Sequence, residues 1–293
     1  MKKIAYVTLM VLALAAAAQA ADRTVDQTRS LAADGRVEIS NISGEERLIG
    51  WSGDEVNISG RLEDGVEDLD ISSAGDRLRI EVDLEYRTRN NGSAYLTIKM
   101  PATADLEVET VSADITVDGV TGEISLESVS GQIEVSGESG SLEAVSVSGN
   151  VRATSTSGRS ELGSVSGNVI VGHATGRLDA EVVSGDIEIE AGLLDSLVAE
   201  SVSGRIFCAA QPTESGRFNL ETMSGTVELV VASDVDADFG IETYSGSIRS
   251  DLGPEPVRTD RYGPGKELRF RSGAGGARIS VESFSGSVRL RTN

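Results

Sequence analysis

A Val-Ser-Gly motif that returns in a fixed phase constrains the fold of this chain more than any other feature. Each copy is followed, one residue later, by Ile or Val, as in Val129-Ser130-Gly131-Gln132-Ile133. The copies begin at Val129, Val147, Val165, Val183, Val202, Met223, Tyr244 and Phe284, and a divergent first copy begins at Val111. Their starts lie 18, 18, 18, 18, 19, 21, 21 and 40 residues apart. Repetition of this kind indicates an architecture built from stacked units.

A second, shorter period divides each unit in two. Glycines are spaced nine residues apart without exception from Gly122 to Gly185. Between them apolar and polar residues alternate, as where Ile133 and Val135 flank Glu134. Short alternating runs bounded by Gly and Ser are typical of half-buried β-strands. Each unit is therefore predicted to hold two strands joined by turns.

Stacking explains how such short strands bury their apolar side chains. A single strand has no partner surface, but identical coils can pair each strand with its copy one turn above, about 4.8 Å away. The prediction is an all-β fold, a β-solenoid with 18–21 residues per coil. Residues 104–293 then form about ten coils, a rod about 45–50 Å long. An antiparallel sandwich has similar turn spacing, but gives no reason for the same residues to recur in the same phase.

The domain organisation follows from where the rhythm weakens. Residues 21–103 alternate less regularly and are predicted to form an N-terminal β cap, continuous with the rod, because a bare terminal coil is an open edge. Residues 104–293 form the predicted solenoid, entered after Pro101. A proline-containing insertion near 251–266 breaks the rhythm and is predicted to be a surface loop or a bulged coil. It lies in the 40-residue interval, which matches about two coils of 21 residues.

Residues 1–20 have the pattern of a secretory signal peptide. Lys2 and Lys3 are followed by an apolar run to about Ala17 and by the small-x-small sequence Ala18-Gln19-Ala20. Nothing later approaches the length of a membrane-spanning segment, so no transmembrane segment is expected in the mature chain. The prediction is an exported protein, periplasmic or on the cell surface.

Charge excludes some partners. The chain holds 47 Asp and Glu against 26 Lys and Arg, a formal net charge of −21. Nucleic acids and anionic membranes require a basic surface, so no nucleic-acid partner is expected. The balance changes along the chain: residues 104–250 hold 25 acidic and 6 basic residues, whereas residues 251–293 hold 5 and 8. This difference is explained by solubility and a polar end, or by self-association and contact with an acidic polymer.

Cysteine and histidine are too scarce for most site chemistry. Cys208 and His173 are single residues of their types, so an intramolecular disulfide and a typical zinc site are excluded. Cys208 lies two residues after Ile206, in phase with the buried positions, and is predicted to be a small core side chain. His173 is predicted to lie in an exposed turn.

Two polar rows accompany the repeat. The motif serines are predicted to hydrogen-bond along the rod and to cap turn amides. Glutamates lie four residues before the turn glycine at Glu109, Glu127, Glu181, Glu200, Glu221, Glu242 and Glu282, with lapses at Val145 and Gly163. Stacked carboxylates repel one another, so this row is expected to be solvated, to have raised pKa values, or to bind cations. The candidate metal ligands, for weak calcium binding, are Glu181, Glu200, Glu221 and Glu242.

The pattern resembles the bacterial "putative adhesin" domain family of unknown function. The resemblance rests on the signal peptide, Gly50-Trp51 in a β segment and the Leu-Glu-x-x-Val-Ser-Gly-x-Ile coils, best seen from Ala104 to Ile189. It implies an exported, β-helix-like fold associated with the cell surface. It supplies no established catalytic or cofactor-binding residues.

Three functions fit this reading. The leading hypothesis is a non-enzymatic solenoid that interacts with an unidentified partner in the cell envelope, as an adhesin would. A carbohydrate-active enzyme is the second, because carboxylates are plentiful. Sugar-cleaving sites usually carry aromatic platforms, however, and Trp51, Tyr244 and Phe284 are isolated in the sequence. A structural or sensory envelope component is the third.

Overall fold

The computed structural model describes residues 22–84, 92–259 and 263–293. The predicted signal peptide therefore lies outside the described residues. Within them the chain forms strands and no helix. The strands are β1 (Arg23–Ser30), β2 (Arg36–Trp51), β3 (Glu55–Leu62), β4 (Val66–Ala74), β5 (Arg77–Leu84), β6 (Ala94–Pro101), β7 (Asp105–Asp118), β8 (Glu123–Ser128), β9 (Ile133–Ser136), β10 (Ser141–Ser146), β11 (Val151–Thr154), β12 (Arg159–Ser164), β13 (Val169–Gly172), β14 (Gly176–Ser184), β15 (Ile187–Val231), β16 (Ala237–Ser250), β17 (Val257–Arg258), β18 (Lys266–Ser272) and β19 (Ala277–Thr292).

The central strands stack in parallel with the period of the sequence. β8, β10, β12 and β14 lie side by side, and each residue pairs with the residue 18 positions later, as Leu126 does with Ala144. β9, β11, β13 and the start of β15 form the opposite side with the same shift, as Val135 does with Ala153. Each coil thus contributes two strands. The all-β solenoid is confirmed. Among the described residues, antiparallel pairs occur only towards the two ends of the stack.

Alternation places one apolar row of each strand inside the rod. Ile187 and Ile189 are fully buried, whereas Glu188 between them is partly exposed. Cys208 is also fully buried, and burial raises the pKa of its thiol to about 12. The thiol is therefore protonated and unreactive at neutral pH. The predicted core role of Cys208 and the exposed turn at His173 are both confirmed.

The C-terminal strand does not follow the order of the sequence. β19 lies between β15 and β16, so that Val281 pairs with Leu220 on one side and with Ile241 on the other. β18 runs antiparallel along the far side of β16. The interval of 40 residues is therefore not two further coils, as the spacing predicted. It contains a strand that covers the edge of β16 and a connection back to an internal position.

The N-terminal end is built in the same way. β2 lies between β7 on one side and the successive strands β5 and β6 on the other, and all of these pairs are parallel. β4 then covers β5, and β3 and β1 cover β6, in antiparallel pairs. Covering the last parallel coil protects its unpaired N–H and C=O groups. The described strands on the two sides of the predicted boundary at residue 103 thus share one sheet. The division into 21–103 and 104–293 stays a prediction.

Candidate binding groove

The first residue of each Val-Ser-Gly copy lies on the outside of the rod. These side chains are 41–64% exposed and form a continuous line along one corner. In spatial order this apolar row consists of Ile42, Val111, Val129, Val147, Val165, Val183, Val202, Met223, Phe284 and Tyr244. Single exposed apolar residues are normal on a protein surface, but a contiguous line of them indicates an interaction site.

Two aromatic side chains complete this row at its C-terminal end. The rings of Tyr244 and Phe284 are stacked, with centroids 4.9 Å apart and planes within 3° of parallel. The neighbour of Phe284 on its other side is Met223, because Ser224 pairs with Ser285. The sequence interpretation of Tyr244 and Phe284 as isolated aromatics was therefore wrong, since the insertion of β19 brings them together.

A row of glutamates runs parallel to the apolar row, two residues earlier in each coil. Glu181 pairs with Glu200, and Glu221 pairs with Glu282. Glu282, not Glu221, is the neighbour of Glu242, so the predicted run of consecutive coils has an additional member. The row continues from Glu242 to Glu267 in β18.

A groove lies along these two rows. Residues separated by two positions point to the same side of a strand, so each coil adds one member to each bank. The groove has a volume of about 550 Å³. Glu181, Glu200, Glu221 and Glu282 line one bank, and apolar-row residues from Val165 to Phe284 line the other. In the two coils where the glutamate row lapses, Val145 and Gly163 occupy the glutamate positions, so both banks are apolar there.

Negative charge is concentrated on the glutamate bank. Partial desolvation raises the pKa of Glu200, and the neighbouring charges of Glu181 and Glu221 raise it further. Within the described residues, no group of three or more His, Cys, Asp or Glu side chains is arranged to hold a metal ion. Glu242 is paired with Arg269. Calcium binding by this row stays a prediction, which a melt series in calcium against magnesium can test.

The residue between the two banks points into the rod and is usually a hydroxyl. Ser146 accepts a hydrogen bond from the Gly149 N–H (2.8 Å) and donates one to the Gly131 carbonyl of the preceding coil (3.1 Å). Ser164 makes the equivalent pair of bonds with Gly167 and Gly149. Turn amides are thus capped by this inward row. The motif serines that were predicted to do so are all exposed.

The capping pattern changes in the C-terminal coils. From β15 onward the strand continues through the corner, and the Gly185 N–H pairs with the Ser203 carbonyl instead of a hydroxyl. Val182 occupies the capping position of that coil. In the four coils beyond it, the buried hydroxyls lack a hydrogen-bond partner among the described residues: Ser201, Thr222, Ser283 and Thr243.

The solved structures that this chain resembles share little sequence with it. A "putative adhesin" from Bacteroides fragilis is 11% identical and matches 92% of this chain and 98% of its own, with a TM-score of 0.42. One from Parabacteroides distasonis is 9% identical over 92% and 98%, with a TM-score of 0.35. No match is found among curated proteins.

Among the described residues, no helix is long and apolar enough to cross a membrane.

The family comparison covers nearly the whole chain. One family model matches residues 18–291, which include all the described strands except the last residue of β19. The chain belongs to the Toastrack DUF4097 family.

Proposed function

We propose that this protein is an exported, non-enzymatic binding module of the adhesin type, which engages a partner in the cell envelope along the groove. The observation that carries the proposal is the pairing of a continuous exposed apolar row with a parallel row of carboxylates. A partner that covers the apolar row would remove its side chains from water, which is the main favourable term in most protein associations.

The solenoid supports this role mechanically. Each coil repeats the same two surface positions, so a long ligand meets the same contacts several times along one rod. Repeated weak contacts on one rigid support reinforce one another without any single strong site. The signal-peptide pattern of residues 1–20 supports an envelope location, in the periplasm or on the outer surface.

The test is binding of the purified, fluorescently labelled protein to cell-envelope preparations of the producing organism. The groove variant combines Val183→Ser, Val202→Ser and Met223→Ser, all at exposed positions. The control variant combines Leu193→Ser and Val257→Ser, which are more exposed than the groove positions and do not line the groove. We expect the groove variant to lose most of the binding and the control variant to retain it.

Two results would contradict the proposal. Equal binding by the groove variant and the wild-type protein would show that the envelope is not engaged through this face. Turnover of an acidic or neutral polysaccharide that is abolished by Glu200→Gln would replace the binding role with an enzymatic one. Cell fractionation followed by protease accessibility on intact cells separates periplasm from outer surface.

A further inference from the structure

One bank of the groove is apolar and the other is acidic, so a complementary ligand has an apolar side and a basic side. We propose that the occupant is a cationic amphipathic helix that lies along the rod, with its apolar stripe on the apolar row and its basic stripe against Glu181, Glu200, Glu221 and Glu282. This inference rests on the proposed binding role of the groove and adds the chemistry and conformation of the partner.

Charge selects a cationic ligand. Glu242 and Glu267, at the end of the row, are both paired with Arg269. Among the described residues, no Lys or Arg forms an ion pair with the four glutamates of the groove, although Asn219 donates a hydrogen bond to Glu221 (2.6 Å). A basic ligand would therefore not have to displace a Lys or Arg of this chain from these carboxylates. Partial burial is the largest cause of the raised pKa of Glu200, and repulsion from Glu181 and Glu221 adds to it. A basic side chain would relieve that repulsion.

Spacing selects a helix over an extended chain. Successive coils present one glutamate and one apolar side chain about every 4.8 Å along the groove. A helix returns a given side to the surface every turn, about 5.4 Å, whereas an extended chain does so every second residue, about 6.6 Å. Over three intervals the mismatch is about 2 Å for the helix and about 5 Å for the extended chain. The flexible stems of Lys and Arg can absorb the smaller difference.

The lapse in the glutamate row makes the two ends of the groove different, so only part of the helix needs basic residues. The groove spans six coils, from that of Val145 to that of Phe284, so the matching helix is about 24 Å, or about 16 residues, long. Its basic stripe faces the four coils of Glu181 to Glu282. The turn at the other end of the helix lies over Val145 and Gly163 and needs no positive charge.

Other occupants fit this surface less well. A second copy of the chain brings its own net charge of −21, and an anionic membrane brings negative headgroups. Both would be repelled by the glutamate bank. Helix-in-groove binding uses apolar anchors spaced one turn apart. The side chains of the apolar row offer contacts for such anchors at nearly that spacing.

The experiment titrates the protein into a fluorescein-labelled peptide of about 18 residues, made of Lys, Leu and Ala, with the Lys and Leu stripes side by side on one helix. An isomer of the same composition, with Lys and Leu scrambled, is the control ligand. Fluorescence anisotropy gives the affinity, and circular dichroism reports whether the bound peptide is helical. We expect the amphipathic peptide to bind at least about tenfold more tightly than the scrambled one, with a helical signal on binding.

Variants on each bank show where the peptide lies. Glu200→Gln with Glu221→Gln removes charge at constant shape, and Val183→Ser with Val202→Ser removes apolar contact. Each pair is expected to weaken binding about tenfold. The matched control is Glu134→Gln with Glu188→Gln, on the opposite side of the rod, which should change the affinity less than about twofold. Thermal melts verify that all variants are folded.

The outcomes separate this inference from the proposed function. Equal binding of the scrambled peptide, or an equal effect of the control pair, would show non-specific charge attraction and overturn the inference. If envelope binding requires the groove but the amphipathic peptide does not bind there, the binding module stands and the helical partner is wrong. If the peptide binds in the groove but envelope binding ignores the groove variants, the proposed envelope role is wrong.

Discussion

The ring of Tyr244 stacks on the ring of Phe284 with 4.9 Å between their centroids, although 40 residues separate the two in the sequence. The contact exists because β19 lies between β15 and β16, which makes Phe284 the neighbour of both Met223 and Tyr244. Met223 and Tyr244 are successive copies of the repeat, yet one coil separates them in space.

This order predicts which pairs of residues are energetically coupled. Stacked aromatic pairs contribute about 0.5–1.5 kcal/mol beyond their burial, and exposure places this pair at the lower end. A double-mutant cycle with Tyr244→Ala and Phe284→Ala, measured by urea unfolding, should therefore show coupling of about 0.5 kcal/mol. A cycle with Met223→Ala and Tyr244→Ala should be additive, because those residues do not touch. Coupling in the second cycle but not in the first would contradict the inserted position of β19.

Alternation predicts that substitutions at adjacent residues of β15 change the free energy of unfolding by very different amounts. Ile187 is fully buried between coils, so Ile187→Asp places an unpaired charge in the core and should cost several kcal/mol of unfolding free energy. Glu188→Gln, at the outward position, should change the free energy by less than about 0.5 kcal/mol. Thermal melts of the two variants provide the measurement. Equal losses would mean that the side-chain directions are wrong.

Much of the fold could be predicted because the spacing of the repeat determines which residues pair between adjacent strands. The 18-residue period predicted the pairing of Leu126 with Ala144, and the 19-residue interval between the next two motif copies predicted the pairing of Glu181 with Glu200. The insertion of β19 could not be predicted in this way, because every Val-Ser-Gly copy fits beside every other. Sequence order was the only guide, and it is not the spatial order at either end of the rod.

The apolar row was missed although a signal for it was present. Counting from the inward residues Ile124 and Leu126 by steps of two makes Ser128 inward and Val129 outward. The apolar type of Val129 argued against that assignment. The structure resolves the conflict because the Ser128 hydroxyl is needed inside the corner, where it accepts a hydrogen bond from the Gly131 N–H at 2.8 Å.

The change in corner capping gives a matched pair of substitutions. Ser146→Ala leaves the Gly149 N–H and the Gly131 carbonyl without their buried partner and should cost about 1–3 kcal/mol. Ser201→Ala removes a hydroxyl that is buried without a partner in the part of the chain that the structure describes, so it should be neutral or stabilising. Chemical unfolding of the two variants under one set of conditions checks this. A large loss for Ser201→Ala would show that its hydroxyl is bonded, for instance through a buried water.

Glu46 occupies a core position of β2 that other coils fill with an apolar residue. It pairs with Leu96 on one side and Ile115 on the other, and its side chain is fully buried. Asn41 donates a hydrogen bond to one carboxyl oxygen at 2.7 Å, and the other oxygen has no partner among the described residues. Desolvation raises the pKa of Glu46 to about 8, against the hydrogen bond from Asn41, which lowers it.

Stability should therefore fall as the pH rises from about 4.5 to about 8. A carboxyl group with a higher pKa in the folded state contributes stability that is complete below its unfolded pKa of 4.5 and is lost as the pH passes through the folded value of about 8. At about 1.4 kcal/mol per pKa unit, the loss amounts to several kcal/mol.

Glu46→Gln, which does not ionise, should lose less stability over this range, so its unfolding free energy relative to the wild-type protein should rise with pH. Glu45→Gln, at the exposed neighbouring position, should keep most of the wild-type pH dependence. Urea unfolding at pH 5, 6, 7 and 8 measures the three proteins, and parallel curves for wild type and Glu46→Gln would show that Glu46 is ionised in the folded protein.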